Sequence, residues 1–174
     1  MIEMMVAVAI MGVLVLAVAT FVKNTTESVS WATAAGARDT IVQTLTRTAS
    51  RFQNIQDSAT NGGAGGNAAL LACLDPGAPV CVTTSQAAAR PFNLGVLRNA
   101  AFVQLAGTSA APKVYGVGGE TSCAGGVPYC PFWEATAWFW ATCPNETASC
   151  LQATSVHIGY KLSPAAGVTE YQRR

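Results

Sequence analysis

The chain has 174 residues, of which 51% are hydrophobic and only 11% charged, and its net charge at neutral pH is +1. A balance so close to zero supports no extended electrostatic field, which leaves nucleic acid disfavoured as a partner. The length gives room for one globular domain, and six cysteines beside a single histidine argue for disulfides in an exported protein over metal or thiol catalysis.

The first element is an apolar run. No charge falls between Met4 and Val22, and Glu3 stands at the front edge of the run. As a helix at ~1.5 Å per residue it reaches about 28 Å, the thickness of a bilayer's hydrocarbon layer. A plain anchor has no use for an acid there, because a carboxylate in an apolar layer costs several kcal/mol unless it is paired. Ala7, Ala9 and Gly12 are small residues of the kind that let helices approach closely. A secretory signal would show a basic start, a shorter apolar core and a small-residue cleavage site, none of which marks this run.

The stretch MIEMMVAVAIMGVLVLA resembles the N-terminal helix of type IV pilins and of type II secretion pseudopilins, with Ile2, Glu3 and Gly12 at matching places. The resemblance implies a basic leader ending in glycine, removed by a prepilin peptidase, and methylation of the new amino end. It implies a single pass of the cytoplasmic membrane with the head outside. Transfer into an extracellular filament or periplasmic pseudopilus would follow, with copies of the chain or homologous pilins and an inner-membrane assembly machinery as partners. Glu3 would pair with a neighbouring subunit's amino terminus. Thr20 occupies a place where many major pilins carry a helix-bending proline, which points to a straighter helix and to a minor pilin or pseudopilin. The other reading is a single-pass, membrane-anchored ectodomain that binds a ligand and does not polymerise.

After the apolar part, Trp31, Ala34, Ile41, Leu45, Phe52 and Ile55 keep a three-four spacing, while Asp39, Gln43, Arg47 and Asn54 fall on the other side. The pattern predicts one helix over residues 1–57, apolar over 1–22 and amphipathic over 23–57, with a bend near Gly36 and Arg38. At ~1.5 Å per residue it would extend some 85 Å and protrude from its head. The glycines of TNGGAGGN, Thr60 to Asn67, end it. Residues 58–99 read as a connecting loop region and 100–174 as the head.

Four strands are predicted in that head: Ala100 to Leu105, Lys113 to Val117, Ala135 to Thr142 and Thr154 to Leu162. In the last, Val156, Ile158, Tyr160 and Leu162 alternate with His157, Gly159 and Lys161, the period of a half-buried strand. The fold class expected is therefore α+β, a long protruding N-terminal helix packed on a small antiparallel sheet, which the resemblance also implies.

Six cysteines allow 15 connectivities, and sequential pairing is expected: Cys73 with Cys81, Cys123 with Cys130, Cys143 with Cys150. CAGGVPYC and CPNETASC enclose loops of equal length rich in turn formers. Without a closely spaced CxxC pair, and with His157 alone, no metal or cofactor is expected. Trp133, Trp138 and Trp140 are candidate surface or interface aromatics. Trp138 and Trp140 share one strand face, with Phe139 on the other. A single histidine and no nucleophile motif offer nothing catalytic, so an enzyme is not expected. His157 should face outward, and Glu120, Glu134, Arg173 and Arg174 should be solvated. Asn24 and Asn145 begin N-x-[ST] patterns that matter only in a host with that glycosylation machinery.

Overall fold

The computed structural model describes residues 2–62, 67–75, 80–121, 131–166 and 168, with backbone only for residues 2–9. Helix α1, Ile2–Ala49, runs without interruption through Gly36 and Arg38. Threonine is a poor helix former because its hydroxyl competes for backbone partners, and here the competition is settled within the helix. Thr20 donates to the carbonyls of Leu16 and Ala17, Thr25 to Phe21, Thr33 to Val29, Thr40 to Gly36 and Thr44 to Thr40.

The helix expected to reach Asp57 is two helices. Arg51 is extended, with φ −103° and ψ 116°, and α2 spans Phe52–Asn61. Tertiary contacts decide the break. Past it, Ile55 and Ser58 become buried, and the Ser58 hydroxyl accepts the Gly95 N–H at 3.1 Å and donates to the Asn54 carbonyl at 2.6 Å. A straight continuation would abandon these contacts. Phe52, placed on the apolar stripe by its spacing, is 63% exposed because the turn carries it off that face.

The region expected as a loop holds further structure: helix α3 (Asn67–Leu74), strands β1 (Cys81–Val82) and β2 (Arg90–Pro91), and β3 (Leu94–Arg98). Asn67, 3% exposed, organises it. Its amide donates to the Ser58 carbonyl at 2.7 Å and its oxygen accepts the Asn93 N–H, tying the end of α2 to the approach to β3. Parts of the glycine-rich breaker, 63–66, lie outside the described residues.

The remaining strands are β4 (Ala101–Ala106), β5 (Lys113–Tyr115), β6 (Trp133–Thr142), β7 (Ser149–Cys150) and β8 (Ser155–Pro164). β6 is central. One edge pairs antiparallel with β8 along its whole length, from Trp133 opposite Pro164 to Thr142 opposite Ser155. The other edge takes β5 and β2 in series. β3 and β4 form a hairpin through Asn99 and Ala100, both with positive φ, and β1 pairs with β7.

The sheet packs on α1. Along β6 the odd residues Trp133, Ala135, Ala137, Phe139 and Ala141 are buried, whereas the even ones are half-buried. They join Ala34, Ile41 and Leu45 of the helix in one core with Phe92 and Leu94. Phe92 meets Phe139 edge to face at 5.8 Å, a preferred aromatic geometry. The Trp133 indole N–H donates to the Ala34 carbonyl at 3.3 Å, and the Tyr160 and Thr46 hydroxyls are hydrogen-bonded. The result is the expected α+β fold, pilin-like in shape.

Candidate assembly surface

Helix α1 divides at about Ser30. From Ile10 to Val29 its large apolar side chains, Met11, Leu14, Leu16, Phe21 and Val22 among them, are 55–70% exposed. The helix is long and apolar enough to cross a membrane, and among the described residues none in its most apolar window is buried. At ~1.5–3 kcal/mol for each such side chain withdrawn from water, the stretch carries more than about 10 kcal/mol of drive to leave it. A patch of this size exceeds what a soluble monomer leaves open.

A Cβ placed on Gly12 would meet nothing within 4 Å beyond its own helix backbone, so among the described residues its lack of a side chain answers no tertiary contact. Ile2, Glu3, Ala7 and Ala9 lie on the helical backbone of α1, and their side chains fall outside the described residues. The Thr20 hydroxyl is bonded to two carbonyls of its own helix, so that position presents a methyl group outward.

A groove of about 370 Å³ opens where α1 meets the head, between Thr33, Ala37, Thr40 and Thr44 of the helix and Leu105, Tyr115 and Gly119. Its polar groups are turned into the walls: the threonines bond their own helix, and the Tyr115 hydroxyl donates to the Leu105 carbonyl at 2.7 Å. Burial pushes the Tyr115 phenol up to about 12. Gly119, with φ +85°, brings its turn close against Ala37, a conformation that favours glycine.

Trp133, expected at a surface or interface, is 7% exposed. It shares the inward face of β6 with Phe139, and its N–H is satisfied by the helix, so it belongs to the core. Trp138 and Trp140 are half-buried on the opposite face. Trp138 fills the space above Gly159, where a methyl would collide with the indole. The exposed His157 ring stacks on Trp140 with centroids 5.0 Å apart, and its Nε2 lies 3.0 Å from the Ser155 hydroxyl. Glu134 reaches the Ala166 N–H at 3.4 Å.

Cys73 is bonded to Cys81, joining α3 to β1, and Cys143 to Cys150, joining the end of β6 to β7. The sulfurs of Cys81, Cys143 and Cys150 come together, but a disulfide sulfur is not the thiolate that ligates metal. Cys123, Cys130, Arg173 and Arg174 lie outside the described residues.

The groove, the Asn67 cross-link and the β3–β4 hairpin lie outside what the sequence pattern predicts. Asn99 between the apolar runs was the available hairpin signal. The groove had none, since its walls come from segments that only the fold joins. The chain matches no family model, no curated protein and no solved structure in the comparisons made.

Proposed function

We propose that this chain is a structural, non-enzymatic subunit of a type IV pilus or a related secretion filament. The observation that carries this reading is one continuous helix with two environments: a rear half fixed in the head and a front half whose large apolar side chains, from Ile10 to Val29, stay exposed. Before assembly, lipid covers the front half in the cytoplasmic membrane, with the head outside. In the filament, like helices replace the lipid. Apolar area stays covered throughout, so the exchange is nearly neutral and packing at Ala7, Ala9 and Gly12 directs it.

Glu3 then sets the register by pairing with the amino terminus of an adjacent subunit. Such a pair adds little net stability, yet leaving half of it unpaired costs ~3–5 kcal/mol. Processing by a prepilin peptidase and methylation belong to the same proposal, as do the assembly machinery and copies of the chain as partners. Glu3→Ala should leave the subunit in membranes and absent from sheared filaments. Wild-type filament yield from that variant would defeat the assignment.

A second reading, an anchored ligand-binding ectodomain, draws support from the half-buried Trp138, Trp140 and His157 face. It differs in one measurable respect. Replacing residues 2–22 with an unrelated membrane span would preserve its function and abolish that of a filament subunit.

A further inference from the structure

The two described disulfides lie against each other. β1 and β7 pair with Cys81 opposite Cys150, and the Cys143 sulfur is 3.8 Å from the Cys81 carbonyl oxygen. The Sγ atoms of Cys81, Cys143 and Cys150 all fall within 4.8 Å of one another. Burial is unequal: Cys73, Cys81 and Cys143 are 1–3% exposed, while Cys150 is half-buried on the two-stranded sheet. A thiol arriving from solvent therefore meets Cys150 first.

We propose that Cys150 is a thiol-exchange site through which an external thiol rearranges both bridges. The incoming thiolate bonds to Cys150 Sγ, the Cys143–Cys150 bond breaks, and Cys143 leaves as a thiolate. That thiolate, buried beside Cys81, bonds to Cys81 Sγ. The Cys73–Cys81 bond breaks, and Cys73 leaves as a thiolate that takes a proton. Each step consumes one disulfide and one thiolate and regenerates one of each, so no further oxidant or reductant is needed.

The product carries the external thiol on Cys150, a new Cys81–Cys143 bridge and a free Cys73. Covalently, β1 becomes fastened to the end of β6, and α3 loses its tether. Helix α3 keeps the buried Leu70 and Ala72 as its noncovalent hold on the head.

The sequence makes the rearrangement readable. Trypsin cuts after Arg51, Arg98, Lys113 and Lys161 and spares the Arg90–Pro91 bond, so Cys73 and Cys81 fall in one peptide and Cys143 and Cys150 in another. The full chain in detergent is treated with reduced glutathione under native conditions, quenched with N-ethylmaleimide, digested and mapped by fragmentation. The expected result is glutathione on Cys150, maleimide on Cys73 and the two peptides joined through Cys81 and Cys143, a species absent from untreated protein. Separate peptides with glutathione on Cys150 and maleimide on Cys143 would overturn the coupling. Absence of any adduct at Cys150, or a join through Cys123 or Cys130, would overturn the site.

Discussion

Val13, Leu16 and Phe21 are 67–70% exposed, whereas Ala34, Ile41 and Leu45 are 0–5% exposed, although all six lie on one uninterrupted helix. The difference comes from what each half is given to pack on. Over the rear half, β6 and β8 supply a face of alanines, Phe139 and Tyr160, before the chain turns at Arg51 into α2. Over the front half, from Ile10 to Val29, the described part of the chain buries none of the large apolar side chains. A helix of this kind stores its unmet burial for another phase or another molecule, and the head needs no help from it to form a core.

That contrast can be broken most directly by deleting one aromatic ring from each half. Phe139→Ala should lower the head's unfolding free energy by ~3–5 kcal/mol, as for other fully buried aromatics, while Phe21→Ala should change it by less than ~0.5 kcal/mol. Denaturant unfolding of the full chain in detergent, followed by tryptophan fluorescence, reports both. Equal losses would mean that the front half belongs to the head's core after all.

A smaller effect sharpens the same boundary through pH. Burial raises the Tyr115 phenol from its ordinary value near 10 to about 12 in the folded head. The unfolded chain therefore releases that proton first, and stability is complete below pH ~10 and falls as pH climbs towards 12, by about 2 kcal/mol. Tyr115→Phe should flatten this part of the stability–pH curve in unfolding experiments. An unchanged slope would show that the phenol is not sealed between head and helix.

The smallest expected effect lies far from the helix. Ala100 holds φ 62° in the β3–β4 turn, a region that costs a residue with a side chain. Ala100→Gly should raise head stability by ~0.5–1 kcal/mol in thermal or denaturant melts without altering membrane retention. A change in membrane retention would join two regions that the structure keeps apart.

The elements readable from the residues were those with long, regular patterns. The apolar run, the amphipathic stripe through Ala34, Ile41 and Leu45, and the alternation of β6 and β8 each repeat often enough to specify a face. Strand ends shifted only slightly, as with β8 at Ser155–Pro164 against the expected Thr154 to Leu162. What escaped were features set by tertiary partners. The stripe continues smoothly past Arg51, yet the chain turns there because Ser58 finds Gly95 and Asn54 finds the Thr48 carbonyl. Trp133 looked like its neighbours until its register on β6 placed it beneath the helix. For the candidate surface, the exposed apolar stretch was visible in composition, whereas the clustering of Cys81, Cys143 and Cys150 required β1 and β7 to meet.

Two side chains of the sheet hold α1 at separate heights, Trp133 at the Ala34 carbonyl and Tyr160 at the Thr46 hydroxyl. At ~1.5 Å per residue these points are some 18 Å apart along the axis. One fastening would leave a pivot. Two fix tilt and rotation together, so a pull along the helix is shared between adjacent strands of one ladder. Tension applied along α1 would then reach the head through both strands at once.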